Sequence, residues 1–339
     1  MMSGFWGNRT ATIDWCENNY EITHYIAEFW NTISNLGLIL FPLYGIYWSL
    51  QHISYSNKYS TKHKKYFKIP TSLLFCHIGL SLVGIGSWMF HMTLLYPMQL
   101  LDELPMIFGT GILIYANYET ILSIYNFKKK QRGHGDEKKT NLEKIFSMRP
   151  LIMLLITIYC VGVAYIYLYI WKNPVFHEFA FALMTICVIS ENVTLIRMLN
   201  LKKRMYVLSF VYYMFGFLLW NIDNKFCSYL KLYRQNLESF FGLNQELIQA
   251  SSLRPILLNL FVVSLKSISE FHSLWHVFTG YGSFMVLLFL TEVHYQFYLI
   301  KTNAIKKSNE KKDYKAIGSK FYNMYYHFSN SIIVNEKKN

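Results

Sequence analysis

Charged residues are scarce in this chain of 339 residues: they make up 16% of it, whereas soluble domains carry about 25%. Acidic residues are the scarcer kind, with 20 Asp and Glu against 33 Lys and Arg, so the net charge is +13. The 5 cysteines and 17 glycines exclude a disulfide-stapled mini-domain and a collagen. A disordered chain is excluded because 53% of the residues are hydrophobic and 18% are aromatic. The composition therefore indicates a membrane protein.

Three further features are missing from the chain. Residues 1–25 are polar and lack the apolar stretch of a signal peptide, so the first apolar run is expected to act as an uncleaved signal anchor. We find no internal repeat and no Gly/Pro-rich linker. Both absences favour a single integral bundle.

Seven apolar runs are long enough to cross the hydrocarbon layer, which requires about 20 residues. They predict an all-α, polytopic membrane protein with a bundle of seven transmembrane helices. A further apolar run, residues 254–265, is too short to span and is expected to be interfacial. The predicted spans are approximately Ile26–Trp48, Thr71–Leu94, Leu100–Ile124, Leu151–Trp171, Val175–Met198, Tyr206–Cys227 and Phe271–Ile300.

The basic residues predict how this bundle is oriented. When the loops are numbered alternately, 26 of the 33 Lys and Arg fall on one side of the membrane. The positive-inside rule assigns that side to the cytosol. The N-terminal segment 1–25 and an insertion at 228–270 are then luminal, and a basic tail, 301–339, extends from the seven-helix domain 1–300 into the cytosol. A bundle of six spans would place the basic tail on the side of the membrane that has few Lys and Arg.

A nucleic-acid partner is the other common reason for a basic chain. Nucleic-acid binders interleave aromatic and basic residues on one face. Here the Lys clusters flank the apolar runs and the aromatic residues lie within them. We therefore expect no nucleic-acid partner, and the charge is read as a signal of orientation.

Three histidines form a candidate metal site. His272 and His276 are four residues apart, which places both imidazoles on one face of a helix. His91 lies in the second span, at the same end of the bundle. Three imidazoles suit zinc and leave a fourth position for a reactive water. The alternative is that these histidines only pack in the interior or at the membrane interface.

Two polar residues accompany His91. Ser87 is four residues earlier, on the same helical face, and Asp102 opens the third span at the same end, followed by Glu103. A carboxylate near a metal can act as a general base, and a hydroxyl can stabilise an oxyanion. Asp102 can equally be explained as a helix N-cap.

An acidic cluster precedes the first span. Asp14, Glu17, Asn19 and Glu28, with Glu21 nearby, offer several oxygen ligands of the kind that calcium prefers. Their spacing differs from that of an EF-hand loop. A solvated acidic segment is the alternative interpretation.

Four segments together resemble the alkaline ceramidases, which belong to a superfamily of seven-helix intramembrane hydrolases that includes the adiponectin receptors. The resemblance extends from about Gly4 to Thr291 and implies a zinc-dependent amidase that cleaves ceramide into a sphingoid base and a fatty acid. The segments are GFWGNRTATIDWCENNYEITHYIAEFWNTISNL, GSWMFHMTLLYPMQLLDELPMI, WNIDNKFC and FHSLWHVFTGYG.

The resemblance also assigns roles to individual residues. The zinc ligands it implies are His91, His272 and His276. It implies that Ser87 stabilises the oxyanion and that Asp102 is the acid/base. The calcium ligands it implies are Asp14, Trp15 through its carbonyl, Glu17, Asn19 and Glu28. It further implies a disulfide between Cys16 and Cys227, which suits a luminal location.

One departure concerns substrate choice. About 45 residues separate Cys227 from His272, and such an insertion is more similar to the fungal phytoceramide and dihydroceramide enzymes. We therefore expect a ceramidase of the endoplasmic reticulum or Golgi membrane with a membrane lipid as substrate and without a predicted protein partner. The alternative is a lipid receptor or lipid-ester hydrolase of the same superfamily with little ceramidase activity.

Overall fold

A computed structural model describes residues 4–59, 67–132, 148–240 and 264–308 of the chain. The regular structure in these ranges is helical, apart from two isolated bridges in the N-terminal segment. The helices are α1 (Phe29–Ser34), α2 (Leu36–Tyr59), α3 (Thr71–Thr93), α4 (Tyr96–Gln131), α5 (Arg149–Tyr165, continued by a π-helical turn Ile166–Ile170), α6 (Pro174–Leu199), α7 (Arg204–Lys225), α8 (Cys227–Phe240) and α9 (Phe271–Ser308).

Seven helical segments among the described residues are long and apolar enough to cross a membrane. The first combines α1 and α2, and the other six are α3 to α7 and α9. Each coincides with one of the predicted spans, so the all-α, seven-span fold is confirmed. The predicted interfacial run, 254–265, lies almost entirely outside the described residues.

Two of the helices are longer than the membrane requires. α4 has 36 residues and α9 has 38, and at about 1.5 Å per residue both exceed the hydrocarbon layer of about 30 Å. α4 ends in the basic residues Lys128, Lys129 and Lys130. The extra turns therefore extend from the apolar region into the basic side of the bundle.

α9 lies at the centre of the bundle and packs most extensively against α7. Its residues Phe284, Leu290 and Val293 are almost completely buried, because α9 also contacts α1, α2, α3 and α6. This position holds the beginning of α9, where His272 and His276 lie, against the other helices.

A tight turn joins α3 to α4 at the end of the bundle that we call the histidine end. Leu94 caps α3 in the left-handed conformation, with φ of 52°, which is uncommon for a residue with a side chain. The backbone N–H groups of Thr10 and Ala11 donate to the carbonyl of Leu94, at 3.2 and 3.0 Å. The N-terminal segment therefore fixes the turn that separates His91 from Asp102.

A disulfide between Cys16 and Cys227 joins the N-terminal segment to the start of α8, with the two Cα atoms 5.2 Å apart. The pairing implied by the resemblance is therefore present in the structure. The other cysteines, Cys76, Cys160 and Cys187, are free and lie within α3, α5 and α6.

Candidate metal centre

The three predicted zinc ligands meet at the histidine end. One ligand atom from each of His91, His272 and His276 lies within 4.8 Å of the others, and all three residues are buried. His91 comes from α3, whereas the other two come from successive turns of α9. A search of the described residues for three or more His, Cys, Asp or Glu side chains close enough to hold one ion finds this group.

Hydrogen bonds orient two of the three rings. Nδ1 of His91 lies 2.5 Å from Oε2 of Glu28, and Nδ1 of His276 lies 2.8 Å from Oγ of Ser34. When Glu28 is ionised its carboxylate can only accept, and Ser34 already donates to the carbonyl of Asn31; in that state both imidazoles are donors at Nδ1. Their lone pairs are then at Nε2, the tautomer that a second-shell acceptor favours in a metal-bound histidine.

His272 is held by its backbone and by ring contacts. Its N–H donates to Oδ1 of Asp223 in α7, at 3.3 Å, and its ring stacks on Trp15 with the centroids 3.9 Å apart. Both ring nitrogens are buried without a hydrogen-bond partner. Trp15 of the N-terminal segment therefore sets the plane of this ring.

The unpaired nitrogens are what makes the group suit a metal. Nε2 of His276 also lacks a partner, and a buried polar atom without one costs about 1–3 kcal/mol. A zinc ion bound by three imidazoles would pair Nε2 of His276 and one ring nitrogen of His272, and it would match the tautomers set by Glu28 and Ser34. The residues therefore fit a zinc ion by their chemistry.

Ser87 and Asp102 lie together beside the histidines. The side chains of Ser87 and Asp102 lie close enough to interact, and both line one cavity. Gly86 permits this approach of α3 to α4, since a Cβ at this position would lie 1.9 Å from the carbonyl oxygen of Leu101. A small residue at a helix interface allows such close contact. The sequence placed these two residues at one end, and the structure brings them into contact.

A cavity of about 230 Å³ begins at these residues. Ser87, Asp102 and His276 line it near the histidine end, and Tyr206 lines it near the first turn of α7, towards the basic side. Most of the remaining lining side chains are apolar. The cavity therefore extends along the bundle from the polar residues into the apolar interior and suits a molecule with a polar group and a long hydrocarbon chain.

The acidic residues of the N-terminal segment are already engaged with hydrogen-bond donors. The two carboxylate oxygens of Glu17 accept from the N–H groups of Trp30 and Asn31, at 2.7 and 2.8 Å. Oε1 of Glu28 accepts from the N–H of Trp15, at 3.2 Å. These contacts attach the segment to the start of α1.

The other predicted calcium ligands lie at the surface. Oδ1 of Asp14 accepts from the side-chain amide of Asn19 at 3.0 Å, and the same carboxylate pairs with Arg9 at 3.4 Å. Burial and the neighbouring Glu28 carboxylate raise the pKa of Glu17 to about 8. A cation between these carboxylates would relieve their repulsion, although the structure does not draw them together as tightly as the histidines.

Several supporting residues were not predicted from the sequence. Ser34 and Asp223 give no sign of a role, because a serine or aspartate near a helix end is ordinarily a cap. Glu28 was expected to bind calcium and is also the partner of His91. Glu103 was noted beside Asp102, and its carboxylate instead accepts from the hydroxyl of Tyr167 at 2.6 Å.

A buried three-histidine group beside an apolar cavity, in a bundle of helices long enough to span a membrane, is the arrangement expected of an intramembrane hydrolase. Comparison with known proteins makes this assignment specific. The family model described as ceramidase matches residues 7–247. The chain belongs to the ceramidase family.

Individual relatives extend the match over most of the chain. Alkaline ceramidase 3 of Mus musculus is 32% identical over 288 residues, which cover 84% of this chain and 85% of the mouse protein. Alkaline ceramidase YPC1 of Saccharomyces cerevisiae is 30% identical over 299 residues, 85% of this chain and 78% of the yeast protein. A putative alkaline ceramidase, dcd3A of Dictyostelium discoideum, is 32% identical over 249 residues, 70% of this chain and 82% of that protein.

Proposed function

We propose that this member of the ceramidase family hydrolyses the amide bond of ceramide with a zinc ion held by His91, His272 and His276. The observation that carries the proposal is the set of buried, unpaired ring nitrogens of the histidines. They lie beside Ser87 and Asp102, at one end of an apolar cavity. The products are a sphingoid base and a free fatty acid. The family membership supports the substrate, and the donor set supports the metal.

The chain's own residues position the substrate and move the proton. When bound, zinc would polarise a carbonyl group and lower the pKa of water to about 7. Asp102 accepts a proton from the attacking water as the water oxygen bonds to the amide carbon. Asp102 then returns this proton to the nitrogen as the C–N bond breaks, which yields the amine and the carboxylic acid.

Ser87 contributes a hydrogen bond to the developing oxyanion. Its hydroxyl lies beside the Asp102 carboxylate, which becomes a weaker acceptor once it is protonated. The hydroxyl is then available to the negatively charged oxygen of the tetrahedral intermediate. The hydrocarbon chains of ceramide belong in the bilayer, so we expect the lipid to enter sideways between helices and to place one chain in the cavity.

Calcium is the second ion that we propose, bound by Asp14, the Trp15 carbonyl, Glu17, Asn19 and Glu28. This donor set consists of oxygens, as calcium requires. The cation would offset the repulsion from Glu28 that, together with the larger effect of burial, raises the pKa of Glu17. Its role is structural or regulatory, because these residues lie outside the cavity lining.

We further propose that the histidine end faces the lumen of the endoplasmic reticulum or Golgi, with the N-terminus luminal and the C-terminus cytosolic. The division of Lys and Arg, 26 of 33 on the opposite side, supports this orientation. The Cys16–Cys227 disulfide at the histidine end supports it independently, since such bonds persist in oxidising compartments.

A lipid panel tests the activity. Purified chain in detergent is given phytoceramide, dihydroceramide, unsaturated ceramide, a phospholipid and an ester-linked lipid, and the released bases and fatty acids are quantified. We expect sphingoid base from the ceramides, with phytoceramide and dihydroceramide preferred. Preferential hydrolysis of the ester lipids would make the chain a lipid-ester hydrolase, and release from none of the lipids would favour the receptor alternative.

A further inference from the structure

A buried arginine lies next to the metal centre, and the proposed reaction does not use it. Arg234 of α8 is 1% exposed. Its guanidinium donates to the carbonyl of Cys16 at 3.0 Å and to the hydroxyl and carbonyl of Ser269, at 3.2 and 3.1 Å. It also pairs with Oε2 of Glu270 at 2.9 Å.

These contacts join three segments that are far apart in the sequence. Cys16 lies in the N-terminal segment between Trp15 and Glu17, Arg234 lies in α8, and Ser269 and Glu270 directly precede α9. The carbonyl of Glu270 accepts from the N–H of Ser273 at 3.1 Å, within the turn that carries His272. A displacement of Glu270 would therefore move the first turn of α9.

Simple attachment of these segments does not explain a buried charge. The disulfide already joins the N-terminal segment to α8, and an ion pair between Lys266 and Glu21 already joins that segment to the residues before α9. A guanidinium is costly to remove from water unless its N–H groups are paired. Here four acceptors from two segments surround it, which fixes the relative position of those segments through a planar, rigid donor.

We propose that Arg234 is a positioning residue for the metal centre. It sets the first turn of α9 against the N-terminal segment, so that His272 stacks on Trp15 and both α9 histidines face His91. The proposal depends on the proposed function only in taking the three histidines as the zinc ligands.

The test compares Arg234→Gln and Arg234→Lys with Lys225→Gln, which removes one exposed positive charge from the end of α7 at the same end of the bundle. Zinc-loaded full-length proteins are mixed with excess chelator, and the rate of zinc loss is measured. Changes to second-shell residues commonly weaken metal binding by about 10–100-fold. We expect zinc loss at least about tenfold faster for Arg234→Gln, an intermediate rate for Arg234→Lys because one ammonium cannot reach all four acceptors, and the wild-type rate for Lys225→Gln.

A second measurement separates positioning from general stability and needs no zinc. Hydrogen–deuterium exchange of the metal-free proteins is followed in the segments around 14–17 and 269–276. We expect Arg234→Gln to speed exchange in both segments while the interior of α9 keeps its protection. The absorption spectrum of cobalt-loaded protein should also shift, because it reports ligand geometry.

Each outcome has one meaning. A folded Arg234→Gln protein with wild-type zinc loss and wild-type exchange would overturn the proposal, as would uniformly faster exchange throughout the chain. If Arg234→Gln does not fold, Arg234→Lys and Glu270→Gln take its place, with the same expected and contrary results. If the wild-type protein binds no zinc, the proposed function fails, while the exchange measurement still decides whether Arg234 holds the two segments together.

Discussion

The histidine group and the acidic cluster lie side by side at one end of the bundle, yet their polar atoms are in opposite situations. In the histidine group, both ring nitrogens of His272 and Nε2 of His276 are buried without a partner. In the acidic cluster, both oxygens of Glu17 accept backbone N–H groups. Buried polar atoms in folded proteins are nearly always paired. The histidines therefore offer unpaired nitrogens to an ion, whereas the carboxylates of the acidic cluster already have hydrogen-bond donors from the protein.

Glu28 connects the two regions. One carboxylate oxygen accepts from Trp15 in the acidic segment, and the other lies beside Nδ1 of His91. We therefore expect hydrolysis to require zinc and calcium to contribute mainly to stability. A change at Glu28 should weaken the binding of both ions.

Removal of a histidine ligand should have the largest effect. We expect His272→Ala to lose bound zinc and to reduce ceramide hydrolysis to background, because two imidazoles leave the ion without a complete protein site. Metal analysis and turnover of the same preparation measure both effects. The exposed His24 at the same end provides the control, and His24→Ala should retain zinc and activity. Full activity in the His272→Ala protein would exclude this residue as a ligand.

Replacement of Asp102 should separate chemistry from metal binding. We expect Asp102→Asn to lower kcat by about 10²–10⁴-fold, the usual contribution of a general acid/base. The zinc content should stay at the wild-type level, because Asp102 lies beside Ser87 and is not a member of the histidine group. An unchanged kcat would contradict the assigned role of Asp102, and a loss of zinc would move this residue into the metal site.

The shared carboxylate should give an intermediate effect on both regions. We expect Glu28→Gln to weaken zinc binding by about 10–100-fold, because an amide is a poorer acceptor for the Nδ1–H of His91. Calcium binding should weaken in the same protein. Competition with metal indicators measures the two affinities separately. If only the calcium affinity changed, the contact between Glu28 and His91 would have no part in holding the metal.

The acidic cluster alone should give the smallest effect. We expect calcium removal, or Asp14→Asn, to lower the free energy of unfolding by about 1–3 kcal/mol, as expected for loss of a ligand present well above its Kd. Turnover should fall by less than about tenfold. Lys225→Gln is the control, since it removes an exposed charge at the same end of the bundle outside the proposed ligand set. Complete loss of zinc on calcium removal would show that the protein's own hydrogen-bond donors are not sufficient to hold the acidic cluster in place.

The sequence was sufficient for the fold, because long apolar runs and the distribution of Lys and Arg report directly on a bilayer. The boundaries were less accurate where helices continue beyond the apolar layer. The third span was predicted as Leu100–Ile124, but α4 continues from Tyr96 to Gln131, since hydropathy marks the buried part of a helix rather than its hydrogen-bonded ends. Likewise, helix begins at Phe29 rather than Ile26, after the extended residue Glu28.

The three histidines that the structure brings together could be singled out from the sequence, because two imidazoles four residues apart and a third at the same end of the bundle have a recognisable chemistry and spacing. The residues that position these histidines could not be predicted from the sequence. Ser34, Asp223 and Arg234 owe their roles to contacts between segments far apart in the chain, and each is of a residue type that is common at helix ends and in loops. Only the packing of α9 against the N-terminal segment and α7 reveals what these side chains hold in place.

The metal content of the purified, active protein decides whether ceramide hydrolysis depends on a zinc ion held by the three histidines. Zinc and calcium are determined in the same sample in which ceramide hydrolysis is assayed, before and after treatment with a chelator selective for zinc. We predict about one zinc per chain, loss of hydrolysis when it is removed and recovery when zinc alone is restored. Undiminished ceramide hydrolysis by protein that contains no zinc would contradict a zinc-dependent reaction.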